Sequence, residues 1–146
     1  MATDVLAGVQ VGALTIRFLV DPEQSDAALS MFEFEVPAGA NVPVAHSHDR
    51  YEETIYGVEG VLTWTVDGAA TDVGPGDALL IRRGAVHRFD NTGEADAKAL
   101  AVVTPGILGP AYFHEIASVL DAAGGGPPDL AALAAVMRRH GLTPAA

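Results

Sequence analysis

The segment "HSHDRYEE" at residues 46–53 places two imidazoles and two carboxylates within eight positions. In an extended strand, side chains two residues apart point to the same face, about 6–7 Å apart along the backbone. His46 and His48 can therefore converge on one metal ion. Glu53 reaches the same side only if residues 49–52 form a turn or bulge. That turn would direct Glu53 inward and Glu52 outward, whereas a tighter turn would give Glu52 the ligand role.

A third histidine follows in "GDALLIRRGAVHRFDN" at residues 76–91, where His87, Phe89 and Asn91 alternate on one strand face. Three imidazoles and one carboxylate suit one divalent transition metal (Fe, Mn, Ni, Co, Cu or Zn), whereas calcium and magnesium prefer oxygen ligands. His114 and His140 lie in a helical pattern, and we interpret them as ordinary surface or core residues. The candidate metal ligands are His46, His48, Glu53 and His87.

Short segments with strand periodicity surround these residues, and turn signals separate them. Apolar and polar residues alternate at residues 13–20, 30–36 and 61–66, and Asp67-Gly68 is a hairpin signal. After residue 105 the period changes to that of a helix, at residues 110–120 and again at 129–141. Asp129 is a candidate N-cap and Gly141 a candidate stop. The pattern predicts a mainly β sandwich or barrel with a short C-terminal helical tail.

Composition limits the function classes. The 146 residues, of which 49% are hydrophobic, can build one domain with one core. The net charge of −11 argues against nucleic acid and anionic membranes as partners. Without cysteine, neither a disulfide nor a thiolate metal site can form. The N-terminus lacks the pattern of a signal peptide, and no apolar run is long enough to span a bilayer. We therefore expect a cytoplasmic protein.

Residues 39–60 resemble the first sequence motif of the cupin family, G-x5-H-x-H-x3–4-E-x6-G. His46, His48, Glu53 and Gly60 occupy the motif positions, and one extra residue follows Gly39. Residues 76–91 resemble the second cupin motif, G-x5-P-x-G-x2-H-x3-N, with an arginine in place of the motif proline. The second motif is matched by Gly76, Gly84, His87 and Asn91.

The chain as a whole resembles small single-domain cupins of the quercetin-dioxygenase-like kind. The resemblance implies a double-stranded β-helix, a jelly-roll-like barrel that encloses the metal, as one domain over residues 1–146. The barrel is expected at about 13–105 and the helices at about 110–140. It also implies that one divalent metal is bound by the four candidate ligands and that Glu53 acts as a base.

These features predict a metal-dependent enzyme, a dioxygenase-like oxidoreductase that acts on a chelating enol, phenol or hydroxyketone. Two alternatives stay open: a non-oxidative isomerase, lyase or cyclase, and a cupin that only binds a small ligand. Arg82, at the motif proline position, is either a solvated rim residue or a guanidinium suited to an anionic substrate. The aromatic candidates for the pocket could equally be plain core residues. The predicted pocket residues are Phe34, Ile55, Leu62, Trp64, Arg82 and Phe89.

The termini predict self-association. A strand at residues 13–20 would be an exposed sheet edge, and such edges are usually paired or covered. The apolar faces of the two helices also need burial, against their own barrel or against a partner. We expect a homodimer to which the terminal elements contribute.

Overall fold

A computed structural model describes residues 7–40 and 44–145 of the chain. The start of the chain, which we assessed for a signal peptide, and positions 41–43 of the first motif lie outside the described residues. The fold is two antiparallel sheets followed by two helices, which confirms the predicted fold class. The strands are β1 (Val9–Val11), β2 (Leu14–Val20), β3 (Ser30–Val36), β4 (His46–His48), β5 (Glu52–Glu59), β6 (Leu62–Val66), β7 (Ala69–Val73), β8 (Ala78–Ile81), β9 (His87–Asp90), β10 (Ala97–Thr104) and β11 (Leu142–Pro144).

The two sheets share one hydrophobic core, to which β2, β3, β5, β6 and β10 contribute alternate apolar side chains. One sheet has six strands in the order β1-β2-β3-β10-β5-β8, and the other has five in the order β11-β4-β9-β6-β7. In β3, Phe32, Phe34 and Val36 are buried while Glu33 and Glu35 lie on the wetter face. This alternation is the one that the sequence predicts, and burial of the apolar face stabilises the sheet.

One turn and one close contact between a strand and a loop depend on particular residues. The β6–β7 hairpin turns at Asp67 and Gly68, both with positive φ (47° and 83°), as the Asp-Gly signal predicts. Gly57 in β5 passes so close to the loop after β7 that a Cβ there would lie 2.0 Å from the carbonyl oxygen of Gly74. No larger side chain fits at that position without moving backbone.

The helices are α1 (Pro110–Ala122) and α2 (Leu130–Arg139), and both pack on the β domain of their own chain. The Asp129 carboxylate accepts a hydrogen bond from the backbone N–H of Ala132 at 3.0 Å, so the predicted N-cap is confirmed. The two helices are joined by Glu115, whose carboxylate binds Arg139 at 2.8 Å and also binds His140. The buried residues of these helices, among them Tyr112, Ile116, Leu133 and Met137, pack within their own chain, whereas Leu130 is 64% exposed.

The sequence patterns missed two short terminal strands, β1 and β11, and the expected sheet edge at residues 13–20 is wrong because of β1. β2 lies between β1 and β3, so residues 13–20 do not form a sheet edge. β11 follows α2 and pairs with β4, which returns the C-terminus to the five-stranded sheet. Both missed strands are three residues long, too short for a periodicity to stand out. Within residues 7–40 and 44–145, no helix has the length and apolar character needed to cross a bilayer.

Candidate metal centre and ligand cavity

Three histidines from two neighbouring strands meet inside the fold. β4 contributes His46 and His48, and β9 contributes His87, which pairs with His46 across the sheet. The ring centroid of His87 lies 4.7 Å from that of His46 and 4.5 Å from that of His48. One nitrogen from each ring lies within 4.8 Å of the others. The convergence expected from the H-x-H spacing and the downstream histidine is present.

Backbone carbonyls fix the tautomers of two of these rings. The Nδ1 atom of His46 lies 2.9 Å from the carbonyl oxygen of Val44, and Nδ1 of His87 lies 3.0 Å from that of Ala85. A carbonyl oxygen can only accept, so each Nδ1 carries the proton and donates it. The lone pair is then on Nε2, which is the arrangement that a metal-binding imidazole needs.

Burial keeps the three rings neutral. It lowers the pKa of His46 to about 4 and that of His48 to about 2, with the neighbouring histidines adding to both effects. It also lowers the pKa of His87. Metal ligands must be deprotonated, and these rings are so at neutral pH. In addition, Nδ1 of His48 is buried without a hydrogen-bond partner among the described residues. The cluster therefore fits a divalent transition metal.

Glu53 approaches the histidines from the opposite sheet. It lies in β5, is 7% exposed, and its Oε1 lies 3.8 Å from Nε2 of His87. Burial raises the pKa of Glu53 to about 7. Because the pKa of His87 is lowered, this contact is not a pair of fixed opposite charges at neutral pH. Glu53 stands outside the compact three-histidine group, and its role as a fourth ligand stays a prediction.

The adjacent Glu52 points the other way, as the alternation of β5 predicts. Its carboxylate accepts two hydrogen bonds from the Arg83 side chain, both at 2.7 Å, and one from the Arg83 backbone N–H at 3.0 Å. These hydrogen bonds lower the pKa of Glu52 to about 2. Glu52 thus joins β5 to the loop between β8 and β9. In the same loop, the N–H of Gly84 donates to the carbonyl oxygen of His48 at 2.8 Å.

The histidines and Glu53 open into a cavity of about 440 Å³. Three of the predicted pocket residues, Phe34, Trp64 and Phe89, line it and pack against one another with ring centroids 4.8–6.1 Å apart. The other three predicted residues do not line it. Ile55 and Leu62 are fully packed in the core, and Arg82 lies exposed in the loop after β8.

The C-terminal elements supply much of the cavity wall, and the sequence did not assign them to the site. Their apolar stripes were visible as helical periodicity, but periodicity does not say what a face covers. The residues concerned are Tyr112, Phe113, Ile116 and Leu120 of α1, Leu133 and Met137 of α2, and Leu142 of β11.

β11 also supports the strand that carries two candidate ligands. Leu142 pairs with His48, and Pro144 pairs with His46. The Thr143 hydroxyl donates to the Asp49 carboxylate at 2.7 Å. The N–H of Asp49 donates to the carbonyl oxygen of Gly141 at 2.8 Å. The N–H of Ala145 donates to the carbonyl oxygen of Ala45, also at 2.8 Å. The end of the chain therefore helps to position the H-x-H segment.

Comparison with known proteins agrees with this geometry. Residues 32–103 match the family described as Cupin domain. The chain is 28% identical over 96 residues to quercetin 2,3-dioxygenase of Bacillus subtilis, and the match covers 66% of this chain but only 28% of that enzyme. It is 30% identical over 107 residues to an uncharacterized protein of Methanocaldococcus jannaschii, covering 73% of this chain and 81% of that protein.

Among solved structures, the chain is similar to a predicted oxalate decarboxylase from Thermotoga maritima. The TM-score is 0.60 at 22% identity, and the match covers 63% of this chain and 80% of the other. At that identity the likeness shows the fold alone. The two matched motifs, the paired antiparallel sheets and the histidine cluster between them all agree with the family match: the chain belongs to the cupin superfamily.

Proposed function

We propose that this cupin is a metal-dependent, dioxygenase-like enzyme that acts on a small chelating enol, phenol or hydroxyketone, with Glu53 as the base. One observation carries the proposal: a buried carboxylate faces a three-histidine cluster across the barrel, with 3.8 Å between Oε1 of Glu53 and Nε2 of His87. The two groups come from opposite sheets. Their convergence in one cavity is what acid–base chemistry beside a metal requires.

His46, His48 and His87 would hold the metal, since their rings are neutral and converge. When bound, a divalent ion polarises a substrate oxygen and makes the neighbouring proton more acidic. Three protein nitrogens leave further positions for substrate oxygens.

Glu53 is suited to accept that proton. Its pKa of about 7 lies near the working pH, where a base combines adequate strength with a useful deprotonated fraction. The aromatic wall of Phe34, Trp64 and Phe89 excludes water from the carboxylate and orients a flat substrate. Deprotonation converts an enol or phenol into an electron-rich anion, which is the form that reacts with oxygen.

Dioxygenation balances without a further reductant. A carbon–carbon bond of the substrate breaks, both atoms of O2 are incorporated into the products, and the substrate supplies the electrons. Glu53 returns its proton to the product. The similarity to quercetin 2,3-dioxygenase supports this choice, although the match spans 28% of that enzyme.

The test is oxygen uptake with a panel of flavonols, catechols, acireductone-like enediols and β-diketones. We expect one class to be consumed in a metal-dependent reaction. Glu53→Gln should lose far more activity than metal, whereas Glu52→Gln, whose carboxylate binds Arg83 away from the cavity, should retain nearly full activity. Equal loss in both variants would refute the role of Glu53.

The same assay separates the alternatives. If a substrate is converted equally well without oxygen, the reaction is an isomerisation, elimination or cyclisation. If a compound binds tightly and no panel member is converted, the chain is a binding protein. The cytoplasmic location stays a prediction.

A further inference from the structure

The cavity has two chemically different parts. One part consists of the three histidines and Glu53, which are the polar groups of the candidate metal centre. Apart from Arg88, the remainder is lined by uncharged side chains, mainly those of α1, α2 and the aromatic residues Phe34, Trp64 and Phe89. Arg88 is the one permanent cation among the described lining residues, and its guanidinium is bound to Asp90 at 2.6 Å.

Part of the cavity lining is exposed next to the C-terminal helices. Two of its lining residues are exposed apolar side chains, Val44 at 44% and Leu130 at 64%. Exposed glycines of the segment between α1 and α2, Gly125 and Gly126, line it as well. Apolar residues there give an apolar ligand surface to bury, which is favourable, and they give an ion no group to pair with.

We propose that the ligand is bipartite and neutral overall: a chelating pair of oxygens at the histidine end, and an uncharged apolar tail that lies against α1 and α2. The inference rests on the proposed function, because it assigns the substrate class of the same site. A volume of about 440 Å³ leaves room beyond a bare chelating group and lies within the range of small-molecule pockets, about 300–1,000 Å³. A tail ending in a carboxylate finds no unpaired cation there.

Three β-diketones test this. They are acetylacetone, its homologue in which one terminal methyl is replaced by pentyl, and an analogue whose tail ends in a carboxylate in place of the last methyl. Binding to the purified protein is measured by calorimetry and by quenching of Trp64, the single tryptophan, which lines the cavity. A buried methylene contributes roughly threefold to fourfold in affinity. We expect the pentyl compound to bind at least tenfold tighter than acetylacetone, and the carboxylate compound no tighter.

Variants of the wall that α1 and α2 form test where the tail binds. Leu133→Phe fills space on the α2 side, and we expect it to lower the affinity for the pentyl compound much more than the affinity for acetylacetone. Leu80→Phe, on an exposed position of β8 outside the cavity, is the matched control. Thermal melting reports whether Leu133→Phe is folded. If it is not, Ala123→Phe narrows the cavity from the segment after α1, where the side chain is only half-buried.

Equal affinity for the methyl and pentyl compounds, tight binding of the carboxylate compound, or no binding of any of the three would overturn the inference. Its failure is distinguishable from failure of the proposed function. If the rate of oxygen uptake does not depend on tail length, the proposed enzyme activity stands and the apolar-tail site is refuted. If affinity depends on the tail but no compound is converted, the apolar-tail site stands and the proposed enzyme activity is refuted.

Discussion

Leu142→Ala tests whether β11 is a structural part of the site. Leu142 is 2% exposed, pairs with His48 and lines the cavity. Truncation to alanine removes three carbons, each worth about 0.8 kcal/mol when buried, or about 2.4 kcal/mol together. Since the side chain already borders a cavity, the additional cost of a new void is small, which places the loss near the lower end of the Leu→Ala range. We expect the free energy of unfolding to fall by about 2–3 kcal/mol.

The assay is urea unfolding monitored by circular dichroism. The protein is first treated with a chelator, so that bound metal does not contribute to its stability. Leu130→Ala is the matched control, because that leucine lies in the same C-terminal segment but is 64% exposed. Its expected cost is below about 1 kcal/mol. A loss in Leu142→Ala no larger than in the control would mean that residues 142–144 are not docked on β4, and the reasoning would be refuted. With metal present, Leu142→Ala should also weaken metal binding, because β11 then holds the strand that carries His48 less firmly.

Three further predictions concern the metal, the fold and the assembly. Protein purified without chelator should carry close to one divalent transition metal per chain by elemental analysis; His87→Ala should lose most of it and His114→Ala none, and equal contents would disprove the assignment. Gly57→Ala should yield little folded protein by circular dichroism, because its Cβ would lie 2.0 Å from the Gly74 carbonyl oxygen. The homodimer expected from the sequence stays a prediction: light scattering should give twice the chain mass of 15.0 kDa, and a monomer mass at micromolar concentration would refute it.

Local patterns in the sequence determined most of the elements and the identity of the candidate ligands. Alternation predicted β3 and the inward and outward directions of Glu53 and Glu52, because side-chain parity depends only on neighbouring residues. The cap at Asp129 and the hairpin at Asp67-Gly68 were predictable for the same reason. The H-x-H spacing and the third histidine indicated a metal site before any fold was known.

The tertiary structure alone decided which segments meet. Thr143 binds Asp49 across 94 positions of the chain, and no periodicity predicts that the last strand would support β4. Likewise, the apolar stripes of the helices indicated that these faces are buried, but not that they line a cavity. Alternation placed Ile55 on the same face of β5 as Glu53, but it did not show that Glu53 lines the cavity and Ile55 does not. Periodicity is a local property, whereas the choice of partner depends on how all the elements pack at once, and that packing is what gives the site its walls.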